Sequence, residues 1–79
     1  MEKLRTRAQE DTVKGKVIAS IIAGCHTTEA IIENAGLFTQ YRDFCDAIAE
    51  LHKEGVVVCE RDIWGRWGYY FTENALKNI

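Results

Sequence analysis

Apolar residues recur along this chain with a period that changes once. From Thr12 onward Val13, Val17, Ile18, Ile21 and Ile22 keep to one helical face, which predicts a first helix from Asp11 or Thr12 to Ala23. Thr12 or Asp11 offers a capping oxygen at its start and Gly24 a left-handed stop at its end. Gly15 weakens the first turns by about 1 kcal/mol relative to alanine. After Cys25-His26, Thr27 or Thr28 caps a second, short helix whose stripe is Ala30, Ile31, Ile32 and Ala35, closed by Gly36. Leu37-Phe38 fill the turn that follows. Thr39 then caps a third helix whose inward stripe is Tyr41, Phe44, Cys45, Ile48 and Leu51, ending at Gly55.

Beyond Gly55 the pattern becomes that of strands. Val56 to Arg61 is β-branched at its start and Trp67 to Thr72 is rich in aromatics. The Asp62 to Gly68 segment between them carries Gly65 and Gly68, so the pair closes as a hairpin. Thr72 to Leu76 begins a last helical turn. The expected class is α+β, three helices followed by a hairpin.

Composition narrows the picture. At 79 residues the chain holds one small core, and 47% apolar content argues for order. The formal net charge is −2, yet Lys3, Arg5, Arg7, Lys14 and Lys16 cluster at the front. This reads as a basic N-terminal arm over 1–11 leading into a more acidic domain over 12–79. Cys25, Cys45 and Cys59 form no CxxC pair, and the charged N-terminus has no secretory character. The expectation is a cytoplasmic protein whose cysteines pack as small hydrophobes, Cys25 and Cys45 in the core or at helix ends. The apolar run from Val17 to Gly24 is too short for a bilayer, so no membrane partner is expected.

Catalytic readings find little support. No glycine-rich phosphate loop is present, and Ser20, the one serine, lies mid-helix without an identifiable base. Asp43 with Asp46 and Glu50 with Glu54 suit a solvated helix face. His26 and His52 with the three cysteines lack metal-ligand spacing. No enzyme activity, cofactor or metal is expected.

The order of helix, short helix, turn and longer helix ending in Leu51-His52-Lys53-Glu54-Gly55-Val56-Val57, then a hairpin returning on Tyr70-Phe71-Thr72, resembles winged helix-turn-helix domains of the bacterial regulator type. The resemblance covers residues 12 to about 76. It implies a three-helix core with a β-hairpin wing, and a third helix lying in the major groove of double-stranded DNA. Thr39, Gln40 and Arg42 would then reach phosphates and bases, although Asp43 and Asp46 stand nearby. Arg61, Trp64, Arg66 and Trp67 would act from the wing. The expected function is DNA binding in transcription regulation or a related DNA transaction. The alternative is an adaptor or inhibitor that grips a protein partner through the aromatic wing, since Trp and Arg are also enriched at protein hot spots. A plainer outcome for the wing is that one tryptophan folds back over the core. The first helix and the residues after Thr72 offer apolar surface for a homodimer.

Overall fold

The structure, a computed structural model, describes residues 3–77. The outer ends of the arm and of the domain as read from the sequence, residues 1–2 and 78–79, lie outside the described residues. Seven elements follow in order: α1 (Leu4–Ala8), α2 (Val13–Ile22), α3 (Thr28–Ala35), α4 (Tyr41–Lys53), β1 (Val57–Arg61), β2 (Trp67–Phe71) and α5 (Glu73–Leu76). The class is α+β, a helical core followed by an antiparallel two-stranded hairpin.

Capping chemistry sets most boundaries. The Thr12 hydroxyl accepts the Gly15 amide at 3.0 Å, Thr27 accepts that of Ala30 at 3.1 Å, and Thr72 accepts that of Ala75 at 3.2 Å. Gly24, Gly36 and Gly55 take the left-handed backbone where their helices stop. Thr39 is not the cap of α4. The Gln40 amide closes a tight turn onto the Leu37 carbonyl at 3.0 Å, so the helix starts one residue later, with Gln40 as N-cap and no side-chain bond there.

All the helices and β1 contribute to one core. Leu4, Val17, Ile18, Ile31, Leu37, Leu51, Val56 and Ala75 are fully buried, with Phe44, Ala47 and Val57 nearly so. Each large side chain contributes about 1.5–3 kcal/mol. Leu4 is the unexpected member. The segment read as a basic arm is helical from Leu4 to Ala8 and docked, because Leu4 and Ala8, one turn apart, present a short apolar stripe to the core.

Three residues expected inside lie outside. Ile22 follows Ile21 by about 100° of helix rotation and leaves the core face. Tyr41, 58% exposed, and Cys45 sit to the side of the arc held by Phe44, Ala47 and Leu51. Cys25 does pack against the core.

The hairpin is pinned to the helices through His26. The Tyr69 amide donates to the His26 carbonyl at 2.7 Å, and His26 Nδ1–H donates back to the Tyr69 carbonyl at 2.9 Å. A carbonyl can only accept, so Nδ1 carries the proton. The ring stacks on Tyr70 with centroids 4.3 Å apart. This approach is close enough that a Cβ at Gly68 would come within 3.2 Å of His26, so a glycine here lets the α2–α3 connection touch the strand. His26 is thus a satisfied structural residue.

Candidate functional site

The helix α4 presents three different strips outside its core arc. On the side facing α1 and α2 stand Asp43, Asp46, Glu50 and Glu54, the first three beside Thr12, Val13 and Lys14. Lys14 Nζ reaches Glu50 at 2.9 Å and Glu54 at 2.8 Å, and Arg7 reaches Glu54 at 3.0 Å. The hydrogen bond from Lys14, reinforced by Arg7, holds the Glu54 carboxyl below the usual carboxylate range. The same contacts, first with Glu54 and then Glu50, raise the Lys14 ammonium. Two of the five front-end cations are therefore committed to the acidic strip.

The strip facing the hairpin is apolar. Tyr41, Cys45, Ile48, Ala49 and His52 line a groove of about 370 Å³ whose other wall is Val57, Cys59 and Tyr69, with Thr28 at one end. Phe44 and Tyr69 close its floor edge to face, with centroids 6.3 Å apart. His52 Nδ1–H donates to the Val57 carbonyl at 3.3 Å, which ties the last turn of α4 to the start of β1. A hydrogen bond with Cys45 one turn away raises the Tyr41 phenol above its ordinary value.

Between these strips, roughly opposite the core arc, lie Arg42 and Lys53, both exposed. Among the described residues neither Arg42 nor Lys53 has a carboxylate within ion-pair distance.

Hairpin register extends the groove toward its tip. Val57↔Phe71, Cys59↔Tyr69 and Arg61↔Trp67 are alternate rungs, so they share one face of the ribbon. The Arg61 guanidinium lies 4.8 Å from the Trp67 ring centroid, and Arg66 lies 5.6 Å from that of Trp64.

The turn itself is organised by Asp62. Its Oδ1 accepts the amides of Trp64 and Arg66, each at 2.9 Å, and its backbone pairs with Arg66 and Gly65. Those amides, led by that of Arg66, hold the Asp62 carboxyl below its ordinary range. Gly65 supplies the positive φ of 80° that the turn requires. Trp64 and Trp67 are 73% and 58% exposed, so neither ring folds back over the core.

The residues singled out from the sequence thus form two sets. Arg61, Trp64, Arg66 and Trp67 gather at the hairpin end. Thr39, Gln40 and Arg42 gather where α4 begins, with Thr39 exposed and Gln40 half-buried. Tyr41 beside the second set, and Cys59 on the next rung of the same hairpin face as Arg61, line the same groove.

Sequence reasoning passed over Tyr41, Cys59 and Tyr69 as site residues, and also the organiser Asp62. The Asp-x-x-Gly spacing from Asp62 to Gly65 is a turn signature that pointed to the last of these. Among the described residues no cluster of three His, Cys, Asp or Glu could hold a metal ion, and no helix is long and apolar enough to cross a membrane.

No family model, curated protein or solved structure matches the chain.

Proposed function

We propose that this domain is a winged-helix DNA-binding module serving transcription control or a related DNA transaction, with α4 in the major groove and the β1–β2 hairpin as its wing. The observation that carries this reading is the sorting of charge around α4. Glu50 and Glu54 face α1 and α2 and are neutralised there by Lys14 and Arg7. Arg42 and Lys53 on the outward strip, and Arg61 at the wing, are left to meet phosphate. Asp43 and Asp46 have no such ion pair among the described residues, so Arg42, Lys53 and Arg61 must outweigh them at this face. Thr39, Gln40 and Arg42 supply hydrogen-bonding groups at the start of α4, where a reading helix contacts base edges.

A mobility-shift titration on mixed-sequence duplex at low salt tests the proposal. Binding in the micromolar range that weakens steeply with added salt is expected. No shift at tens of micromolar protein would sink it.

A second reading draws on the apolar lining of the groove, which suits a protein segment better than a sugar-phosphate edge. Under it the domain is an adaptor or inhibitor that holds a partner through the groove and wing. Capture of one specific protein, lost in Trp64→Ala or Trp67→Ala while DNA affinity stays the same, favours that reading over the first. Ile22 and Leu76, 43% and 50% exposed, lie in the two segments expected to pair across a two-fold axis. Light scattering at high protein concentration distinguishes a dimer from a monomer.

A further inference from the structure

Groove reading by α4 leaves the hairpin tip without a role. Ile63 is 88% and Trp64 73% exposed, although a tip needs neither side chain in order to turn. They do not project from a loose loop. The two amides held by Asp62 Oδ1, the Gly65 amide on the Asp62 carbonyl at 3.0 Å and the Asp62 amide on the Arg66 carbonyl at 2.9 Å fix the backbone on both sides of them. A turn built this firmly keeps two large apolar groups in water, which is unfavourable for the isolated chain and favourable once a partner covers them.

The surroundings of the pair say what kind of partner. Arg66 stacks on Trp64 and also meets Asp62, with Nε to Oδ2 at 3.4 Å, while Arg61 stacks on Trp67 one rung below. An apolar edge flanked by two guanidiniums matches a base step, where flat apolar faces are bordered by phosphates on both strands.

We propose that Ile63 and Trp64 form a wedge that enters between two stacked base pairs of duplex DNA and bends the duplex, with Arg61 and Arg66 on the flanking phosphates. This rests on the DNA-binding reading above and adds the way the wing engages. Unstacking is easiest at TpA steps and hardest in A-tracts, so the wedge favours sites containing the former.

The test uses a duplex of about 25 base pairs with dyes at its ends and 2-aminopurine beside a central TpA step, a length at which bending of tens of degrees is readable. Wild-type protein is expected to raise 2-aminopurine emission and shorten the end-to-end distance, and to do both less on an A-tract duplex. In Trp67→Phe, where Trp64 is the remaining indole, tryptophan emission falls on binding. Ile63→Ala and Trp64→Ala still bind by anisotropy, Trp64→Ala with affinity lowered about tenfold as expected for loss of one stacked ring, but neither bends the duplex. Asp62→Ala keeps both side chains and bends less, because the turn that presents them is loosened. Ile63, Trp64 and Trp67 are exposed and Asp62 half-buried, and circular dichroism confirms the fold of each variant.

Wild-type binding with unchanged 2-aminopurine emission and no shortening overturns the wedge and leaves the DNA-binding reading standing. Bending by Trp64→Ala equal to wild type does the same. Absence of any wild-type binding overturns both. Loss of a protein partner in Trp64→Ala, with DNA binding and bending intact, replaces the base step by a protein pocket as the occupant.

Discussion

Replacing Gly15 by alanine sets helix propensity against a tertiary contact, and the contact wins. In an exposed helix the change stabilises by about 1 kcal/mol. Here a Cβ would stand 2.8 Å from the Arg7 carbonyl oxygen and closer still to that of Glu10. Both obstructing atoms are backbone, so no rotamer change relieves them and α1 with its connection must move away. That movement acts against Leu4, fully buried in the core, and against the Arg7–Glu54 pair at 3.0 Å. Overpacking costs about 1–3 kcal/mol. Complete release of α1 limits the loss to about the burial energy of one leucine, 1.5–3 kcal/mol. After the propensity gain of about 1 kcal/mol, Gly15→Ala is expected to destabilise by about 0.5–2 kcal/mol, which lowers the melting temperature of a chain this size by about 2–16 °C. Thermal and urea unfolding followed by circular dichroism measures it. A paired substitution in a chain lacking residues 1–10 removes both carbonyls, and there alanine is expected to raise the melting temperature. A full-length Gly15→Ala protein as stable as wild type, or more so, would refute the docking of α1 against α2.

The Arg7–Glu54–Lys14–Glu50 cluster predicts a defined pH window. The Glu54 carboxyl is held low, so its contribution is present above the ordinary glutamate value of about 4.3 and lost as pH falls through the lowered one. Lys14 is raised, so its contribution is present below about 10.4 and lost as pH climbs through the raised value. Glu54 is 38% exposed and solvent-screened, so Glu54→Gln should cost only about 0.5–1 kcal/mol at neutral pH. Parallel urea titrations should show the gap closing toward pH 3, and a gap independent of pH would contradict the pairing. Thr72 joins the hairpin to α5, its hydroxyl donating to the Gly55 carbonyl and accepting the Ala75 amide. Thr72→Ala is expected to cost about 1–2 kcal/mol and Thr72→Ser much less, measured by the same unfolding assay. On DNA, Arg42→Ala should weaken binding by about 1–3 kcal/mol if it reads a base, or reduce the slope of log affinity on log salt by about 1 if it meets a phosphate. Affinity and slope both equal to wild type would remove Arg42 from the interface.

Local chemistry made much of the fold readable. The i, i+4 recurrence of Val13, Val17 and Ile21, the threonine oxygens at positions 12 and 27, and the glycines at 24, 36 and 55 are signals carried by neighbouring residues, and the structure places α2, α3 and their stops accordingly. The β-branched run after Gly55 and the aromatic run after Gly65 likewise sufficed for a hairpin. The start of α4 was misread because the turn from Leu37 to Gln40, held by a backbone bond, outweighed a capping threonine at position 39.

The candidate site was legible only as residue types. Arg61, Trp64, Arg66 and Trp67 stand out in any reading of the chain, whereas the pairing of Arg61 with Trp67 depends on strand register, a long-range property. By itself the sequence determined the element order from α2 onward, the class and the aromatic hairpin tip, since each follows from contacts within a few residues. Only the tertiary structure decided that a basic leader docks through Leu4. It alone decided that Glu50 and Glu54 are paired on the far side with Lys14 and Arg7, and that both tryptophans stay in water. Those outcomes depend on which surfaces meet across tens of residues, and a linear pattern does not specify that meeting.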